Sequence, residues 1–146
     1  MSPNLLQMFL MARSRLINIL QNISENDLTK KLAPESNSIG FLLRHIGEVE
    51  QLFAKNVFGL DIRVTANTIG KTKDMGRFTN QKELFENLVI AEDALKKAIL
   101  AQEPEDWSRN VTTAEFGTIT KAEALSRIIS HTAYHTGQIA LILKYA

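Results

Sequence analysis

Four stretches of this chain repeat apolar residues at spacings of three and four, and a stripe on every long segment restricts the fold to helices packed on helices. The first stretch runs from about residue 4 to 21. Leu5, Leu6, Phe9, Leu10, Leu16, Ile17 and Leu20 form its stripe, interrupted by Arg13 and Arg15, and Pro3 suits a first-turn position. The second runs from about 39 to 57, with Ile39, Leu42, Leu43, Ile46, Val49, Leu52 and Phe53 on one face. Ser38 is placed to cap it, because its hydroxyl can accept from a free N–H of the first turn. The third spans about 81–101. Leu84, Leu88, Ala91, Leu95 and Ala98 repeat along it, and Asn80 and Glu83 have the spacing of a capping box. The fourth spans about 121–145, opened by the box Thr120 and Glu123 and lined by Leu125, Ile128, Ile129, Ile139, Ile142 and Leu143. Helices of such lengths would be about 27–37 Å long.

The expected fold is therefore all-α: one four-helix bundle domain over residues 1–146, with long inter-helix connections. Segments 22–37, 58–80 and 102–119 all exceed the usual short bundle turns, so they must cross the bundle or cover its ends. Within the last of them, Val111–Thr113 and Phe116–Thr120 can pair as a small β-ribbon.

Composition removes several classes of function. A formal net charge of +1 implies no strong field of one sign, which argues against a dedicated nucleic-acid binder, and no run approaches the roughly 20 apolar residues of a membrane span. Cysteine is absent, which excludes a disulfide scaffold, a Cys-ligated zinc and a cysteine nucleophile. Met1-Ser2-Pro3-Asn4 lacks the basic flank of a secretory signal, so the cytoplasm is the expected location. Lys71, Lys73 and Arg77 read as a solvated loop, and Met8 and Met11 as core or dimer surface.

The three histidines are the informative residues. His131 and His135 lie four apart on the fourth helix, hence on one face with about 6 Å of rise between them. Two imidazoles so placed can converge on one metal ion. His45, among Leu42, Ile46 and Val49 on the second helix, can supply a third nitrogen from across the bundle. The competing reading is structural: a histidine at an apolar edge commonly hydrogen-bonds to a carbonyl and does no chemistry. Glu48 follows His45 by three and can take a proton from activated water, act as a further ligand, or sit solvated at the rim. Glu50 points elsewhere and is expected at the surface. Gln138 shares the histidine stripe and can orient a ligand. Tyr134 reads as a packing residue, and Gly137 as permitting close helix approach.

The segment Ser38-Ile39-Gly40-Phe41-Leu42-Leu43-Arg44-His45-Ile46-Gly47-Glu48-Val49-Glu50 resembles the second helix of the DinB/YfiT-like superfamily. His131-Thr132-Ala133-Tyr134-His135-Thr136-Gly137-Gln138-Ile139 resembles its fourth-helix motif, His-x-x-x-His-x-Gly-Gln, with Thr136 where Arg is common. The resemblance covers about residues 4–145. It implies a bundle holding one divalent metal, whether nickel, zinc, iron(II) or manganese, on His45, His131 and His135. It further implies a small-molecule substrate, a homodimer, and a metal-dependent hydrolase or an S-transferase using a low-molecular-weight thiol, as in a related maleylpyruvate isomerase. Three imidazoles leave a coordination position open, and the missing cysteine accords with a borrowed thiol. The alternative is a non-catalytic dimeric bundle with structural histidines.

Overall fold

A computed structural model describes residues 2–146. The helices are α1 (Ser2–Leu20), α2 (Ile39–Asn56), α3 (Gln81–Leu100) and α4 (Lys121–Tyr145). Strands β1 (Asn110–Thr113) and β2 (Gly117–Thr120) form an antiparallel ribbon with Val111 opposite Ile119. Local chemistry sets the helix starts. The Ser38 hydroxyl accepts from Phe41 N, and Asn80 Oδ1 accepts from Glu83 N. The Thr120–Glu123 box is reciprocal: the Thr120 hydroxyl accepts from Glu123 N, and the Glu123 carboxylate accepts from Thr120 N.

α1 packs on α3 and α4, and α2 packs on the same two helices. The order around the bundle is thus α1–α4–α2–α3. The α1–α2 and α3–α4 connections cross diagonals, which accounts for two of the three long segments. The third has a different cause. Gly40 faces Phe78, just ahead of α3, and Gly47 faces Asn87 within it, so contacts advance together and the two helices run parallel. The chain between them must return the length of a helix. That connection is anchored by Phe58, Leu60 and Ile62 on one part of the core and by Phe78 on another, more firmly than its composition suggests. Gly40 makes the approach possible, because a Cβ there would lie 1.9 Å from the Phe78 carbonyl oxygen.

The core consists of two apolar clusters, one around Phe9, Phe53, Leu95, Trp107 and Ile128, the other around Leu16, Ile46, Leu88 and Ile139. A polar layer lies between them, with one residue from each helix. Arg13 donates to Glu50, to Glu92 and to the Leu88 carbonyl, and the Thr132 hydroxyl donates to Glu50 at 2.9 Å. Glu50, expected at the surface, is fully buried. It is accommodated because Arg13, read from sequence as a break in the α1 stripe, is itself 2% exposed and reaches across the diagonal at 3.1 Å. Burial pushes the Glu50 carboxyl above its ordinary pKa, while Arg13 and Thr132 pull it back.

Gly137 corrects another expectation: a Cβ there would meet nothing within 4 Å, so it serves no close helix approach within the bundle. Met8 and Met11 are exposed rather than core, and Lys71, Lys73 and Arg77 are solvated. Among the described residues, no helix is long and apolar enough to cross a membrane.

Candidate metal centre

His45 on α2 and His131 and His135 on α4 meet beside the polar layer. Their ring nitrogens form a group within 4.8 Å of one another. His45 Nε2 lies 3.1 Å from His131 Nε2, and His135 Nε2 lies 3.2 Å from the same atom. Two nitrogens bound to one ion at 2.0–2.1 Å would be about 2.9 Å apart at a right angle and about 3.3 Å apart at the tetrahedral angle. The two observed separations fall between these values.

Each outer imidazole is oriented through its other nitrogen. His45 Nδ1 lies 3.2 Å from both the carbonyl and the hydroxyl oxygen of Thr68. His135 Nδ1 lies 2.6 Å from Gln138 Oε1. A carbonyl oxygen can only accept, so Nδ1 carries the proton in both rings and Nε2 presents a lone pair. His131 Nδ1 is buried with no partner among the described residues.

Burial depresses the pKa of all three imidazoles. His45 is lowered first by burial and then by His135, against smaller opposing effects of Thr68 and Glu48. His135 is lowered by burial, with the Gln138 contact opposing. His131 is pushed down to about 3 by burial, then by His135, His45 and Arg127. Neutral rings at ordinary pH are the form that can ligate.

The other expected site residues are placed differently from one another. Glu48 is neither solvated nor part of the nitrogen cluster: it is 1% exposed and its oxygens already accept several bonds. Arg44 donates to one oxygen at 2.6 Å, while Asn67 N, Thr68 N and the Thr68 hydroxyl donate to the other. It clamps the loop that carries Thr68 and so acts on His45 through that residue. Gln138 touches His135 directly and positions it. Tyr134 is 66% exposed; its ring stands edge-on to His135 at 5.2 Å, and its hydroxyl accepts from Gln138. Sequence reasoning missed Thr68, because nothing in an irregular segment marks one threonine as facing a histidine many residues away.

His131, alone of the three histidines, also lines a solvent-open cavity of about 410 Å³, whose apolar wall includes Val49, Phe53 and Tyr134. A four-helix bundle with three clustered imidazoles, one of them lining an open cavity, defines a class of small helical proteins with a candidate metal centre. The family model of the DinB superfamily matches residues 8–139, and the chain belongs to that superfamily. No curated protein is similar enough to the chain to count as a match.

Proposed function

We propose that this protein is a metal-dependent enzyme acting on a small molecule, with one divalent ion held by His45, His131 and His135. One observation carries the reading. With their Nδ1 protons directed at Thr68 and Gln138, His45 and His135 both aim lone pairs at His131 Nε2. A proton on His131 Nε2 would satisfy one of these contacts; a cation satisfies both. The structural alternative leaves one pair of nitrogens facing each other without a proton between them.

The donor set fits a divalent transition metal, and neutral nitrogen ligands admit nickel, zinc, iron(II) or manganese. Such an ion supplies Lewis-acid activation of a water or a thiol. The protein's own part is positional. Thr68 and Gln138 fix ring orientation, Glu48 fixes Thr68, and the cavity beside His131 offers an apolar wall to a small organic molecule. None of these residues is a ready nucleophile, so the attacking group comes from water or from a low-molecular-weight thiol. The family supports both a hydrolase and a thiol-dependent S-transferase. Titrating the metal-reconstituted protein with bacillithiol, mycothiol and glutathione separates them: saturable binding of one thiol selects the transferase. Absence of binding by all three, with ester or amide hydrolysis above the His131→Ala background, selects the hydrolase. Loss of neither activity in His131→Ala would remove the enzyme reading.

The homodimer is part of the same proposal. Exposed Met8 and Met11 on α1 and Leu141 on α4 support it, and light scattering at micromolar protein should give twice the chain mass.

A further inference from the structure

The far end of the cavity carries two charges. Arg127 lies one helical turn before His131 on α4, and Glu115 sits at the tip of the β1–β2 ribbon; both line the cavity with His131. Arg127 Nη2 meets Glu115 Oε1 at 3.3 Å. The guanidinium also lies 5.1 Å from the centre of the Phe116 ring, which in turn packs on Phe53 at 5.9 Å. The aromatic contact holds the guanidinium in place independently of Glu115.

We infer that Arg127 anchors the carboxylate of the substrate, and that Glu115 occupies the same position when the cavity is empty of it. The inference rests on the cavity being where substrate meets the histidines. It follows from three features together. The pocket wall is apolar, from Val49, Phe53 and Tyr134, and suits a hydrocarbon or aromatic body. Arg127 is its one lining cation, and a guanidinium matches a carboxylate with paired donors, of which Glu115 engages one nitrogen in a single long contact. The Arg127–Glu115 pair is 46% and 67% exposed, and an ion pair so open to water is weak, so an incoming carboxylate can exchange with Glu115. Arg127 and His131 occupy successive turns of α4, so a carboxylate held at Arg127 leaves the body of the substrate in the same cavity that His131 lines. The substrate class is a small amphipathic carboxylic acid.

The test is binding of phenylacetate and its neutral isostere phenylacetamide to the full-length protein, followed by amide NMR with and without added zinc. Phenylacetate should shift the Phe116, Arg127 and Tyr134 resonances and bind more tightly than the amide by up to about fivefold, the range expected of an ion pair on a half-exposed guanidinium. Arg127→Gln should abolish that preference, Arg127→Lys should retain part of it, and Glu115→Gln should strengthen phenylacetate binding by removing the competitor. Equal binding of acid and amide, an unchanged preference in Arg127→Gln, or no shift at the cavity by either probe would overturn the inference. Zinc titration of the same samples reads the metal site separately. A carboxylate preference without zinc binding would leave the anion anchor standing and remove the metal reading; zinc binding without the preference would do the reverse.

Discussion

Thr68 and Gln138 restrain two imidazoles by one device, an oxygen that accepts the Nδ1 proton and leaves Nε2 free to ligate. Replacing such a partner typically costs about 10–100-fold in metal affinity. Gln138→Leu is therefore expected to weaken zinc binding within that range, while Gln138→Glu, which keeps an acceptor at the same reach, should hold it near the wild-type value. Calorimetric zinc titration of the three proteins checks this, and equal affinity in Gln138→Leu would show that His135 is oriented by something else. His131 and His135 were legible in the sequence because a four-residue spacing on a helix is a statement about direction. Thr68 was not, since its position depends on how Glu48 gathers the backbone of residues 67 and 68 from another element. Arg127 and Glu115 were equally silent, being joined only when the ribbon folds over α4.

The helices were readable almost to the residue, because their stripes and caps are local: α4 spans the segment that its capping box and periodicity indicate. The polar layer between them was not. A charge within an apolar stripe looks like an interruption, yet Arg13 occurs one turn after Phe9 and shortly before Leu16, the spacing of an inward residue. Its partners lie on two other helices, at Glu50 and Glu92. Removing one member leaves a buried charge uncompensated, which typically costs about 3–5 kcal/mol, whereas replacing a pair by apolar residues is often neutral or better. Arg13→Met should lower unfolding stability by about that amount, and Arg13→Met with Glu50→Leu should recover most of the loss. Urea denaturation of the single and double variants reads the difference. A double variant no more stable than the single one would mean that Glu50 is not the group that Arg13 neutralises. At the start of α2, Gly40→Ala should also destabilise, since its Cβ would collide with the backbone at Phe78 rather than with a movable side chain.

At the scale of the molecule, the histidine cluster links stability to pH. All three imidazoles have pKa values below the ordinary histidine value in the folded protein, His131 down to about 3. The unfolded chain, titrating near about 6.5, takes up protons first as pH falls. This contribution to stability is therefore complete above that value, declines below it, and for His131 continues to decline towards about 3. Metal adds to the effect with the same sign, because proton and ion compete for the same nitrogens. The Tm of the metal-free protein should fall between pH 7.5 and pH 5.5, on the order of the imidazole range, and the rise in Tm caused by zinc should shrink over the same interval. A zinc-induced rise undiminished at the acidic end would exclude histidine ligation. The central claim, one ion shared by His45, His131 and His135, is tested most directly by metal analysis after reconstitution and desalting, with wild type beside His131→Ala. About one equivalent of divalent metal in the wild type and little in the variant is the expected result. Equal metal content in the two folded proteins would contradict it.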